Sequence, residues 1–412
     1  MFSIKLGFKN LTRQKRRNII TALVIAFAFF AYLFLYSMMN GMEEMSFENI
    51  RNLETGDIQI TYPEYWEKRE ELPLENLINL NQDIEKSIEN IDGLSGVSSE
   101  LRFTANLNNG IDELPVMGLG IDPEHYKEVF VTQKYLVAGS MFSLGEYKAV
   151  IGKKLAQLMD LKINDYITLL VRTKDDTFNT IDAEIVGLLH SPHPGVNEGT
   201  VFVPLDIAQQ ALNVGNSVSI ITLKLAQRNE KNIAETLNEN FQRKGLNLRA
   251  HSWKESAKSV ISLATAKKSG ISAILSIVLL IGIVGIVNNV ILSALERTEE
   301  IGMMKALGMR EMEIVLVFMV EATGIGIIGG LTGCLFGVIG VGWLVKYGFD
   351  LTYLGGDMSQ YGIPILNRIY GVWNFSTFGF LFILGVTVAL LSSIAPALWA
   401  ACKDPVKAIY HR

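Results

Sequence analysis

The sequence predicts a membrane α-helical protein with four transmembrane helices and a large α+β extracytoplasmic domain inserted between helices 1 and 2. Three observations lead there. Four apolar runs are each long enough to cross a bilayer, a long polar stretch separates the first two, and lysines and arginines gather at the ends that share one side. Composition agrees: 49% apolar beside 19% charged residues in 412 implies that the two kinds are segregated into blocks.

The elements follow in order. Residues 1–18 form a basic segment ending in Arg13, Lys15, Arg16 and Arg17. The first run, 19–40, carries no charge and continues into Met39-Asn40-Gly41 without a small-x-small cleavage site, so it reads as an uncleaved anchor. The polar region 41–268 forms the inserted domain, followed by a second run at 269–295, a charged segment at 296–313 and a third run at 314–346. A short outer loop at 347–374, a fourth run at 375–398 and a tail at 399–412 complete the chain.

Charge orients these elements. The positive-inside rule puts the Arg13–Arg17 cluster in the cytoplasm. Four crossings return the tail, with Lys403, Lys407 and Arg412, to the same side, so both termini are expected to be cytoplasmic. Arg297, Lys305 and Arg310 in the 296–313 segment agree, and Trp343, Tyr347, Tyr370 and Trp373 mark the opposite interface. The third run is longer than the hydrocarbon requires, so its start is expected at the membrane surface, with Glu321 near the interface. Gly326, Gly329, Gly330, Gly333, Gly337 and Gly340 in that run permit close helix approach. Their partner is either the protein's own helices or a second subunit.

The inserted region mixes two periods. Residues 57–61, 166–170 and 221–225 alternate as strands, whereas 79–90 and 228–243 have helical periodicity, giving an α+β domain with room for two subdomains. Residues 257–268 extend as a helix into the second run.

Little in the chain points to catalysis. A net charge of −5 gives no basic stripe for nucleic acid. Cys334 and Cys402 lie far apart and offer the polar region no disulfide framework. His190 and His193 flank a proline in a sequence better suited to a turn than to a metal pair. No G-x-S-x-G elbow and no phosphate-binding loop occurs. The expectation is a non-enzyme that binds no metal or cofactor itself, with ATP and magnesium held by a partner subunit.

The segment Glu296-Arg297-Thr298-Glu299-Glu300-Ile301-Gly302-Met303-Met304-Lys305-Ala306-Leu307-Gly308-Met309 reads as a short charged amphipathic helix that Gly308 is suited to end. Ile301, Met304 and Leu307 fall near one face and are expected to enter a groove on a cytoplasmic partner. The alternative is a helix lying on the inner leaflet.

This segment resembles the hallmark of FtsX/MacB-type permeases of ABC transporters, approximately E-R-x-x-E-I-G-x-x-[RK]-A-[LI]-G. Glu296, Arg297, Glu300, Ile301, Gly302, Lys305, Ala306, Leu307 and Gly308 match that pattern. Glu321 is similar to a carboxylate that the family carries near the start of its third helix. Asn10 through Arg17, Gly118-Leu119-Gly120-Ile121-Asp122-Pro123, 150–156 and the ending at Pro396-Ala397 and 404–409 also resemble family segments. Leu161-Lys162-Ile163-Asn164-Asp165 is similar to L-x-[VL]-G-D, with Asn164 at the glycine.

The resemblance implies that 296–313 is a coupling helix seated on an ATPase subunit, with two such subunits and a second copy or paralogous permease in the complex. Length, the lack of a fused ATPase domain, and Met39-Asn40-Gly41-Met42-Glu43 and Gly56-Asp57-Ile58-Gln59-Ile60 resemble the lipoprotein-releasing permeases LolC and LolE. That implies a bacterial inner-membrane protein passing lipoproteins to a periplasmic carrier. Cargo would enter between the first and second helices, where Phe27, Phe30, Phe34, Met38 and Met42 are candidates to meet acyl chains or membrane lipid. The rival implications are a tripartite MacB-like efflux permease for drugs or peptides, and an FtsX-like regulator of cell-wall hydrolases.

Overall fold

A computed structural model describes residues 2–13, 15–89, 91, 93–350 and 368–402. Lys403, Lys407, Arg412 and the family-like ending at 404–409 lie outside the described residues, as do residues 351–367 of the expected outer loop. The described residues fall into two compact units. One is helical and comprises residues up to Glu43, Ala264–Asp350 and Arg368 onward, while the other, Glu44–Leu263, contains the large sheet.

The helical unit opens with a short helix, Phe2–Arg13, and contains four long apolar ones. These are Lys15–Ile50, Lys258–Glu296, Glu311–Tyr347 and Phe375–Ala401, each long and apolar enough to cross a membrane. A linking helix, Thr298–Ala306, separates the second from the third. The first helix runs ten residues past the expected end at 40 before a π-turn at Arg51–Thr55. Hydropathy falls there, but the helical period persists: Ser46 and Ile50 stay buried while Glu44 and Glu48 face outward. The second helix starts at Lys258, so the helix expected over 257–268 does run on into the second apolar stretch. Arg310 and Glu313 cap the third helix, the Arg310 amide donating to Glu313 Oε2 at 2.9 Å.

Glycines of the third helix let its neighbours approach. A Cβ at Gly333 would lie 2.7 Å from Phe29 Cβ, and one at Gly337 would lie 2.6 Å from Leu33 Cδ1, both on the first helix. Gly329 and Gly340 also face the first helix, at Ile25 and Phe30, whereas Gly326 and Gly330 face Ala389 and Phe382 on the fourth. Of the two expected partners, these glycines meet the protein's own helices. With Ile25, Phe29, Leu33, Ile325, Leu381 and Ala389, that packing forms the core of the unit.

The sheet unit contains ten strands in one sheet. They are β1 (Ile58–Thr61), β2 (Leu94–Asn108), β3 (Glu113–Ile121), β4 (Leu136–Gly139) and β5 (Lys148–Gly152). β6 (Tyr166–Arg172), β7 (Phe178–Leu189), β8 (Thr200–Pro204), β9 (Ile220–Leu225) and β10 (Arg249–Ser252) follow. Their order is β10-β1-β9-β2-β3-β8-β5-β7-β4, and β6 pairs with both β2 and β7. The run β2-β3-β8-β5-β7-β6 therefore closes into a ring. Alternate residues point inward, so Phe103, Leu107, Ile151, Leu169, Ile185 and Val201 fill its interior.

Among the described residues β4 pairs with β7 alone, and β10-β1-β9 form an arm covered by helices Gln82–Glu89 and Glu230–Arg243. Ile58, Ile60, Leu223, Leu237 and Phe241 give that arm its own core, beside the ring interior and a further cluster around Tyr126, Phe130 and Phe202. Asn164 adopts φ 71°, the left-handed turn conformation that the glycine in its place would favour. His193 Nε2 lies 2.8 Å from Glu54 Oε2, and Pro194 opens a short helix, Pro194–Gly199. Among the described residues, no cluster of three or more His, Cys, Asp and Glu is placed to hold a metal ion.

Candidate functional site

The linking helix starts where the second long helix breaks. Arg297 leaves helical geometry at φ −110°, and the Thr298 hydroxyl donates to the Leu295 carbonyl at 2.8 Å. Glu299 and Glu300 occupy the first turn and Lys305 the last, which suits the helix dipole. Gly308, at φ 91°, ends the segment in the left-handed conformation.

The helix has two unlike faces. Ile301, 2% exposed, and buried Gly302 turn inward against Ile314, Phe318 and Ala397, with Met304 packed at their edge. Lys305 Nζ donates to the Ala401 carbonyl at 2.6 Å and to Glu311 at 3.1 Å, tying the helix to the end of the fourth and the start of the third. Glu299, Met303, Ala306, Leu307, Gly308 and Arg310 face outward, with Leu307 87% exposed.

This corrects the expected docking face. Ile301 and Met304 belong to the bundle, and only Leu307 of the expected trio is free. The exposed apolar pair is Met303 and Leu307, at i and i+4, with Met312 beyond them. The i, i+4 spacing was visible in the sequence. Which side of so short a helix would be covered was not.

Arg297 also turns inward. It is 5% exposed, and its Nη1 lies 3.2 Å from Oε2 of Glu321, itself 3% exposed, with the Ser293 hydroxyl 3.5 Å from Oε1. Glu321 is thus buried against a counter-charge, as an ionised group among apolar helices requires. Arg13 and Arg17, read from sequence only as topological charges, pair with Glu300 at 2.8 Å and with Glu296.

The aromatic candidates lie elsewhere. Phe27, Phe30 and Phe34 share one side of the first helix and line an open apolar groove of about 680 Å³ with Leu23, Phe336, Ile339, Gly340 and Trp343. Its opposite wall is the third helix, not the second as expected. A first helix apolar on all sides carries no periodic signal for which neighbour each face meets. Met38 and Met42 are half-buried and do not line the groove. Between the first, second and fourth helices a smaller cleft is lined by Ile25, Ala28, Leu279, Gly282 and Leu384 among others.

Ionised groups in the sheet unit are also paired. Glu100, 1% exposed, accepts from Arg102 and from the Thr222 hydroxyl, each at 2.7 Å. Burial opposes the charge on Arg102, but Glu100 outweighs it and raises the guanidinium pKa. Burial, reinforced by Glu100, also raises the Tyr126 phenol. This cluster is spoken for by its internal bonds and offers no open reactive group.

Comparison with known proteins bears on these positions. Residues 19–239 match the MacB-like periplasmic core domain, and residues 272–405 match the FtsX-like permease C-terminal domain. An uncharacterized ABC transporter permease of Methanocaldococcus jannaschii is 24% identical, over 82% of either chain. The lipoprotein-releasing system transmembrane protein LolC of Xylella fastidiosa is 24% identical over 72% of this chain and 73% of its own. The macrolide export ATP-binding/permease protein MacB of Bartonella henselae is 22% identical over 96% of this chain, which spans 57% of that relative. With the first domain match alone covering more than half of its 412 residues, the chain belongs to the FtsX/MacB-type family of ABC transporter permeases.

Proposed function

We propose that this multi-pass chain is the permease of an ABC transporter that extracts lipoproteins from the inner membrane and passes them to a periplasmic carrier. Two separate ATPase subunits, holding ATP and magnesium, drive it, and the permease works with a second copy or a paralogue. The observation that carries the coupling role is the outward face of the linking helix. Met303 and Leu307 are exposed on a short helix whose opposite side is anchored by Ile301 and Lys305. Exposed apolar residues rimmed by charge suit seating in a partner's groove.

ATP-driven closure would push on that helix. The second long helix, unbroken from Lys258 to Glu296, would carry the movement toward an outer sheet unit lying between the first two membrane helices in the chain. The lipoprotein cargo is supported by the LolC relative, which aligns along most of its own length. The groove at Phe27, Phe30 and Phe34 offers apolar contact for an acyl chain or a membrane lipid.

Depleting the chain tests the cargo: mature lipoproteins should accumulate in the inner membrane. Unchanged delivery together with increased macrolide sensitivity would favour efflux, the second reading, which the MacB relatives support.

A further inference from the structure

Four ionised side chains alternate in sign across three long helices. Arg17 on the first pairs with Glu296 at the end of the second, and the next residue, Arg297, pairs with Glu321 on the third. The Arg297 and Glu321 side chains are 6% and 4% exposed. A buried ion pair is a poor choice where stability alone is needed, because apolar residues of matching volume do as well or better. Its distinctive property is directional: it fixes one geometry and penalises others.

That geometry matters because of where Arg297 sits. Its backbone is the break between the second long helix and the linking helix, at φ −110° and ψ 23°. Its charge is held by the third helix. A break in helical hydrogen bonding is where a push on the linking helix would otherwise be absorbed as bending. The guanidinium spans that break.

We infer that Arg297 and Glu321 are positioning residues forming a clamp across this joint, so that the linking helix and the third helix move as one body. The role in coupling rests on the linking helix being the point where the ATPase pushes; the clamp itself does not. Supply within the cluster is uneven. Among the described residues, Arg17 Nε and Nη2 and Arg297 Nη2 are buried without a hydrogen-bond partner, whereas both carboxylates are engaged. Carboxylate is therefore the limiting component. Losing Glu321 leaves Arg297 unmatched, but losing Arg297 leaves Glu321 with Arg17 within electrostatic range.

The test uses the full chain in lipid nanodiscs, with Cys334 and Cys402 replaced by serine and spin labels at Met303→Cys and Leu335→Cys, both exposed positions. The clamp gives a narrow distance distribution. Glu321→Gln should broaden it about twofold or more, Arg297→Gln less, and Arg297→Lys hardly at all. The double variant Arg297→Met, Glu321→Leu leaves no orphan charge and should fold as well as the parent, yet show the broad distribution.

A narrow distribution in that double variant would overturn the clamp and leave the pair a packing feature. Equal broadening by the two glutamine variants would overturn the assigned asymmetry. Co-purification of an ATPase subunit with the parent chain is scored separately. Its failure would remove the coupling role while leaving the distance result to decide the clamp.

Discussion

The backbone of Gly41 lies directly against that of Tyr370: a Cβ at Gly41 would stand 1.8 Å from the Tyr370 carbonyl oxygen. The contact docks the segment before the fourth long helix on the first, where Ser37 Oγ donates to the Val372 carbonyl at 3.0 Å. The obstacle is backbone and cannot rotate away. Gly41→Ala should therefore lower stability by about 1–3 kcal/mol, read as a lower thermal midpoint of the detergent-solubilised chain. Gly379→Ala is the control. A Cβ there meets nothing within 4 Å, so helix propensity should make the change neutral or slightly favourable.

The glycines of the third helix give a second prediction. At Gly333 a Cβ would press on Phe29 Cβ and the Ala26 carbonyl, at 2.7 and 2.8 Å. Gly333→Val should therefore disturb the packing of a single chain. A matching loss of thermal stability at all protein concentrations would agree with that. A change confined to oligomer size would instead move this surface to a subunit interface.

The two faces of the linking helix should respond differently to truncation. Ile301→Ala removes a side chain buried against Ile314 and Phe318 and should cost about 2–5 kcal/mol of stability. Leu307→Ala touches an 87% exposed side chain and should leave stability within about 0.5 kcal/mol. It should nevertheless weaken retention of the ATPase subunit on a tagged chain. Retention lost in Ile301→Ala at full stability, and kept in Leu307→Ala, would invert the assignment of faces.

A fourth prediction concerns acidity. His251, 2% exposed, stacks on Trp66 with ring centroids 3.6 Å apart and planes 4° from parallel, and Arg69 covers the same indole at 4.2 Å. Burial lowers the His251 pKa, with Glu255 opposing and Arg249 and Arg69 assisting. Between the lowered value and the ordinary imidazole value near 6.5, the unfolded chain binds more protons than the folded one. Stability from this group is thus present above about pH 6.5 and declines as pH falls below it. Protection of the β10 amides, taken relative to the intrinsic exchange rate at each pH, should fall on acidification, and His251→Phe should flatten that dependence.

Much of this architecture was legible because each feature follows one period or one composition. Long uncharged runs mark the four apolar helices, and alternation marks β1, β6 and β9. Helix ends were less visible. Past Met39 the first helix becomes amphipathic rather than apolar, so falling hydropathy resembled termination. The ring was invisible because β6 pairs with β2, and β8 with β3, across separations that no local pattern encodes. On the linking helix, Ile301, Met303, Met304 and Leu307 surround the axis, and only the third and fourth helices decide which are covered. Arg297 looked like a surface charge until Glu321 supplied a buried counterpart.

The split of the linking helix has a consequence for divergence. The residues that hold it to the bundle, Ile301, Gly302 and Lys305, are distinct from those it displays, Glu299, Met303 and Leu307. Displayed residues can therefore drift, or be exchanged by design, without loosening the attachment. A chain built this way is free to change the company it keeps in a handful of substitutions while its internal wiring stays the same.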